Sequence, residues 1–313
     1  MNQFERYRPL TLKSALNLAA PHTWVASVFP ALFGDFYCWQ QGLELSWYKG
    51  IILLTACVFL QSAVNTLNDY FDFIKGTDSE EDYVEASDAV LVYGNISPRS
   101  ALILGIVYLA AGAGLGLGAC AGSGVVPVVI GFIGGAVILI YSGGPFPVSY
   151  LPIGELVSGI VMGGLIPLGI AGCADGKLHW QILFYALPLI IGIALIMMSN
   201  NGSDIEKDIK AGRHTLPTRL GRRRTLKFYR YFIISWVTLA AAMPVAVLGW
   251  TGLVSAALVV AFGKKVTGRQ LSYTLRPEER VAVMKGIAMT NIILNGAYTA
   301  AFVAGFILEV LHG

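Results

Sequence analysis

Apolar runs, each bounded by a short polar connection, recur along almost the whole chain. They cover about 15–38, 48–68, 100–121, 124–141, 152–173, 180–200, 226–248, 249–263 and 283–310. Roughly 20 mostly apolar residues suffice for a helix to cross the hydrocarbon core of a bilayer. In lipid the backbone must satisfy its own hydrogen bonds, so such runs are forced into helices unless they close a barrel. The pattern predicts an all-α integral membrane protein, a bundle of nine transmembrane helices forming one domain over residues 1–313. The seventh and eighth runs are parted only by Gly249-Trp250-Thr251-Gly252, and the eighth is short. With 55% hydrophobic and 13% charged residues, the chain is too apolar for an ordinary soluble domain. Its 36 glycines suit closely packed membrane helices.

Charge sets the expected orientation. Of the 22 Lys and Arg, only Lys49 and Lys177 fall outside the N-terminal tail and the 2–3, 4–5, 6–7 and 8–9 loops. Basic residues favour the cytoplasmic side. The N-terminus is therefore expected inside and the C-terminus outside, in a multi-pass cell (inner or plasma) membrane protein. An even number of spans would break this separation. The net charge of +3 and the absence of a nucleic-acid-binding pattern point to the bilayer as partner, with no nucleic acid. The start of the chain is polar and basic and runs into a full span, so no cleavable signal peptide is expected. Cys38, Cys57, Cys120 and Cys173 lack metal-ligand spacing and read as small apolar fillers.

Two polar segments end apolar runs on the same side. The first is Asn65-Thr66-Leu67-Asn68-Asp69-Tyr70-Phe71-Asp72-Phe73-Ile74-Lys75-Gly76-Thr77-Asp78. The second is Asn200-Asn201-Gly202-Ser203-Asp204-Ile205-Glu206-Lys207-Asp208. In each, an Asn lies three or four residues before an Asp, and another Asp follows at i+3 or i+4. On a helix that spacing gathers the groups on one face. Gathered carboxylates repel unless a cation lies between them, and oxygen-only ligands select a hard ion such as Mg²⁺, completed by substrate phosphates. Asp69, Asp72, Asp78, Asp204 and Asp208 are the candidate metal ligands. A diphosphate ester is the matching partner, with Lys207 and Arg213 as phosphate contacts. Arg222, Arg223 and Arg224 read as plain membrane anchors. The segments lie four spans apart, each before a long polar loop, which suggests two similar halves with a site between them.

The spellings Asn68-Asp69-Tyr70-x-Asp72-x-x-x-Gly76-x-Asp78 and Asn200-Asn201-x-x-Asp204-Ile205-x-x-Asp208-x-x-x-Gly212-Arg213-x-Thr215-Leu216 resemble the two signatures of the UbiA superfamily of intramembrane prenyltransferases. Tyr141-Ser142-Gly143-Gly144-Pro145-Phe146-Pro147, with Gly154-Glu155-Leu156, is similar to the branch that prenylates dihydroxynaphthoate in menaquinone synthesis. The resemblance covers about 60–225. It implies a UbiA-like fold, a polyprenyl diphosphate donor, Mg²⁺ as cofactor, and an aromatic acceptor, 1,4-dihydroxy-2-naphthoate. Diphosphate leaves, the ring carbon bearing the carboxylate is alkylated, carbon dioxide is lost, and demethylmenaquinol results. Asp69, Asp72, Asp204, Asp208 and Tyr70 are then catalytic. Asn65, Asn68, Asn200, Asn201, Lys207, Arg213, Tyr141, Tyr93 and Ser203 bind substrates. Phe71, Phe73, Phe146 and Tyr150 add aromatic faces that stabilise a cation.

Two departures bear on the acceptor. The branch pattern expects an Arg where Tyr93 stands and another where Ser203 stands. If both flank the acceptor end of the pocket, their neutrality loosens selection for a carboxylated ring. The alternatives are another acceptor, such as a hydroxybenzoate or other quinone precursor, and, from another class, a membrane transporter with cation-binding half-sites. His22 reads as a satisfied interface residue. Glu155 can complement the helix it begins. Asp35 and Glu309 read as solvated helix ends.

Overall fold

The computed structural model describes residues 7–76 and 90–312. Asp78 lies outside the described residues. The helices are α1 Leu12–Ala19, α2 Val25–Gln40, α3 Trp47–Lys75, α4 Val90–Gly94, α5 Pro98–Ala119, α6 Val125–Ser142, α7 Gly154–Ser158, α8 Ile166–Asp175, α9 Ile182–Tyr185, α10 Leu187–Ser203, α11 Ile205–Lys210, α12 Leu216–Leu220, α13 Arg222–Leu248, α14 Leu253–Leu258, α15 Lys264–Ser272 and α16 Arg280–His312. Wide π turns at Gly159–Leu165 and Val259–Gly263 join α7 to α8 and α14 to α15. The described residues form no strand, only an isolated bridge between Arg8 and Ile96.

Six helical stretches are long and apolar enough to cross a membrane: Trp47–Lys75, Pro98–Ala119, Val125–Ser142, Gly154–Asp175, Arg222–Ser272 and Pro277–Leu311. Arg222–Ser272 bends at the expected Gly249–Gly252 turn. Leu187–Ser203 is apolar but shorter.

The first apolar run is not one continuous helix. Ala20 takes a left-handed conformation (φ 46°) and Pro21 follows, so α1 stops and α2 begins after a single 3₁₀ turn. The π turn of Gly159–Leu165 has a comparable cause. Pro167 has no N–H to give to the preceding turn, and the helix widens just before it. That turn lies against α10 so closely that a Cβ on Gly163 would stand 2.6 Å from the Ile190 backbone.

Two cores hold the bundle. One joins α2, α8 and the C-terminal half of α16 around Phe33, whose ring meets Phe302 edge-on at 4.9 Å. The other joins α10, α13 and the start of α16 around Trp236, Tyr229 and Ile287. Cys120 and Cys173 are not independent fillers: they pair as a disulfide linking the ends of α5 and α8, with Cα atoms 5.2 Å apart. Asp35 is not solvated. It is 3% exposed, because α3 crosses α2 with Gly50 against it. The two outlying lysines share one end of the bundle. Lys49 Nζ donates to Ser123 Oγ (3.2 Å), whose hydroxyl donates to Cys173 O (2.8 Å), and Lys177 stands beside Asp175 (3.8 Å).

Candidate active site

The end of α3 builds one wall. Gln61, Asn65, Asn68, Asp69 and Asp72 recur at helical spacing and all line a cavity of about 1380 Å³. Asn65, Asn68 and Asp69 tie this wall to three different elements. Asn65 Nδ2 donates to Ala19 O (2.9 Å) and Thr23 Oγ1 (2.8 Å), pinning the α1–α2 break to α3. That break also places His22 in the cavity wall. Asn68 accepts from Ser142 Oγ at the end of α6. Asp69 Oδ2 accepts from the Val90 N–H (2.9 Å), where α4 starts. Lys75 donates to Ser142 O (2.7 Å) and lies over the rings of Phe71 and Tyr150. Gly76, at φ 66°, closes the helix with its N–H on the Asp72 and Phe73 carbonyls.

The second segment is a broken helix. Backbone torsions at Asp204 (ψ 18°) end α10, and α11 restarts at Ile205. Asn200, Asn201, Asp204 and Lys207 line the same cavity. Asn201 Nδ2 donates to Glu155 Oε1 (2.8 Å), so buried Glu155 braces the segment as well as beginning α7. Arg213 turns back with its N–H on Asp208 O (2.8 Å). Its Nη2 reaches Asp72 Oδ1 at 2.5 Å, its Nη1 stands 3.8 Å from Asp208 Oδ1, and its plane covers Tyr150 at 4.7 Å. One guanidinium therefore spans the two segments.

Asp208 is 2% exposed and lies behind Arg213, outside the cavity wall, where Thr215 Oγ1 donates to its Oδ2 (3.2 Å). Burial raises its pKa to about 6, against the pull of Arg213 and with some help from Asp204. Burial opposes the charge on Arg213, but Asp72 and Asp208 outweigh it and hold that pKa above the ordinary arginine value.

Tyr141 lines the cavity, with its hydroxyl 3.5 Å from Gly154 O. Three expected residues are placed elsewhere. Tyr70 packs with Leu18, Val90, Leu91 and Ile96 in a small side cluster. Tyr93 is 41% exposed and is not in the cavity wall. Ser203 is fully buried with its hydroxyl on Ser199 O (2.9 Å).

Arg280 carries no motif signal in the sequence. It starts α16, and its Nε donates to both Asp204 oxygens (3.0 Å each) and its Nη2 to Asn200 Oδ1 (2.7 Å). In the sequence it is one loop charge among many, and only folding spans its 76-residue separation from Asp204. Arg222 is likewise more than an anchor. It clasps Glu206 (2.6 and 2.8 Å) and Gly202 O (3.0 Å), holding the broken helix in place.

Carboxylates and side-chain amides are an oxygen-only donor set suited to a hard divalent ion. Among the described residues no three His, Cys, Asp or Glu side chains are grouped tightly enough to hold one as they stand. Guanidinium groups of Arg213 and Arg280 stand against Asp72, Asp208 and Asp204. Beyond this polar end the cavity is apolar and exceeds the roughly 300–1,000 Å³ of a usual small-molecule pocket. Phe132 and Ile292, both in its wall, are exposed.

Residues 27–292 match the UbiA prenyltransferase family. A 1,4-dihydroxy-2-naphthoate octaprenyltransferase of Bacillus subtilis is 33% identical over 237 residues, 76% of this chain and 72% of that protein. A protein of the same name from Mycobacterium tuberculosis is 29% identical over 288 residues, 89% of this chain and 96% of its own. In fold, the chain is similar to a UbiA homolog from Archaeoglobus fulgidus solved with GPP and Mg²⁺. The TM-score is 0.64 at 18% identity, over 94% of this chain and 99% of that one.

Proposed function

The chain belongs to the UbiA prenyltransferase family and is an enzyme that transfers prenyl groups; from that premise we propose that it joins a polyprenyl diphosphate to 1,4-dihydroxy-2-naphthoate with Mg²⁺ as cofactor. The observation that carries this reading is the meeting of both Asp segments, through Arg213, at the polar end of one long apolar cavity. Naphthoate prenyltransferases among the relatives support the acceptor, and the Archaeoglobus homolog with GPP and Mg²⁺ supports donor and ion.

The residues divide the work. Asp69, Asp72, Asp204 and Asp208 would hold Mg²⁺, directly or by supporting a ligand, and the bound ion would neutralise charge on the departing diphosphate. Arg213, fixed by two carboxylates and stacked on Tyr150, presents a planar cation suited to phosphate oxygens. Lys207 adds a second cation at the same end. The apolar length takes the prenyl chain and keeps water from the reacting carbon, while the Tyr141 ring faces the developing allylic cation. The carbon–oxygen bond to diphosphate breaks, a bond forms to the ring carbon bearing the carboxylate, and that carboxylate leaves as carbon dioxide.

We further propose nine crossings in a single domain in the cell membrane, N-terminus and active site on the cytoplasmic side and C-terminus outside. The shared end of Lys49 and Lys177, opposite the Asp segments, supports this. Enzymatic transfer replaces the transporter alternative. The test is mass spectrometry of products from detergent-solubilised protein given one polyprenyl diphosphate, Mg²⁺ and a panel of aromatic acceptors. Prenylated, decarboxylated naphthoquinol with diphosphate release, both stopped by chelation, is expected. Product from a hydroxybenzoate alone would overturn the acceptor. For orientation, an impermeant thiol reagent on intact cells should label an introduced cysteine near residue 310 and not one in 201–225. The reverse pattern would invert the topology.

A further inference from the structure

One wall of the cavity comes from the start of α16: Arg280, Met284, Lys285, Ala288, Met289 and Ile292. Their spacing puts them on one helical face. The face reads cation, thioether, cation and then apolar residues, so charge is confined to the end nearest Asp204. Arg280 is 6% exposed and rigidly held, with Nε on both oxygens of Asp204 and Nη2 on Asn200. Lys285 stands at the exposed rim of the same wall. The other guanidinium, Arg213, is on the opposite side of the arrangement, shared between Asp72 and Asp208.

An acceptor carrying a carboxylate must bring a negative charge into a cavity already lined by Asp69, Asp72 and Asp204. Out of water, a charge without a counter-ion costs several kcal/mol. Position 93 does not serve, being on the outside, and position 203 does not, being sealed against Ser199. We propose that Arg280, with Lys285 beyond it on α16, forms the acid-binding end of the acceptor subsite and makes the enzyme select an aromatic acceptor that bears a carboxylate. Met284, between them, offers its sulfur to the ring. This rests on the naphthoate reading above. In this chain the acid-recognising cation is delivered from the last helix, in place of an arginine inside the second motif.

The test compares kcat/KM for 1,4-dihydroxy-2-naphthoate and for 1,4-dihydroxynaphthalene, with the same prenyl diphosphate and Mg²⁺, in wild type, Arg280→Gln, Arg280→Lys and Lys285→Gln. Any disturbance of Asp204 lowers both rates and cancels in the ratio. Wild type should favour the acid. Arg280→Gln should reduce that preference about tenfold to hundredfold, the worth of one charge-assisted contact. Arg280→Lys should keep part of it, and Lys285→Gln, which leaves Asp204 untouched, should lose less than Arg280→Gln. Should Arg280→Gln not fold, the other two still decide. A selective wild type whose ratio is unmoved in the folded variants overturns the inference and leaves the proposed function standing. A wild type that prenylates neither naphthalene overturns the naphthoate reading itself, and this inference with it.

Discussion

The two Asp segments carry similar letters and are built differently. The first is the last stretch of an uninterrupted helix, α3, and its side chains reach outward: Asn65 to α1, Asn68 to α6, Asp69 to α4, Asp72 to Arg213. The second breaks at Asp204 and is clasped from all sides, by Glu155, Thr215, Arg222 and Arg280. A helix that satisfies its own backbone needs no such clasp. A broken one leaves carbonyls without an intrahelical partner; Arg222 meets one, Gly202 O, and the other three contacts fix side chains beside the break. The first segment is thus rigid by secondary structure and the second by tertiary contacts, so substitutions should separate activity from stability differently in the two.

The largest effect is expected where the segments meet. Arg213→Met leaves Asp72 and the buried Asp208 without their shared counter-charge. Removing one member of a buried ion pair costs about 3–5 kcal/mol. We expect both transfer activity and the thermal unfolding temperature in detergent to fall sharply. Unchanged unfolding would mean the two segments are not joined through this residue.

Next come the carboxylates. Asp69→Ala, Asp72→Ala, Asp204→Ala and Asp208→Ala should each lower activity or metal affinity on the order of 10–100-fold. Stability should fall as well for the two partners of buried Arg213: Asp72→Ala and Asp208→Ala should both unfold earlier than wild type, Asp208→Ala also losing its contact with Thr215. Four fully active variants would sink the two-segment site.

A smaller loss is expected at the brace. Asn201→Leu removes the donor to Glu155 Oε1 and leaves a buried carboxylate short of a partner, costing about 1–3 kcal/mol. Glu155→Gln, which can still accept from Asn201, should lose much less. Equal losses in the two would show that the charge of Glu155, not the hydrogen bond, steadies the second segment.

The smallest effect is expected at Tyr93. An arginine there would sit on an exposed helix face away from the cavity. Tyr93→Arg should leave the preference between carboxylated and uncarboxylated acceptors within about twofold and stability within about 0.5 kcal/mol. A tenfold rise in preference for the acid would bring that face back into the acceptor site.

The reading of the missing arginines shows where sequence reasoning stops. That Tyr93 and Ser203 are neutral is plain in the letters, but neither lines the cavity. Tyr70 is similar: two residues before Asp72, it turns to the opposite flank of α3 and packs with Leu91 and Ile96. Asp35 reads in the sequence as a solvated helix end, since nothing local reveals that α3 crosses over it at Gly50.

The sequence by itself determined the helical, membrane-embedded character of the chain, the family, and the two Asp segments. These depend on local properties: run length against bilayer thickness, and spacing on a 3.6-residue helix. Tertiary structure alone decided which groups share the cavity. It brought Arg280 to Asp204, let Arg213 bridge Asp72 and Asp208, placed Asp208 behind the wall, and paired Cys120 with Cys173. Apart from Arg213 and Asp208, five positions apart, these pairings join residues 53 to 141 positions apart, and only the packing of one helix against another fixes which of their faces meet.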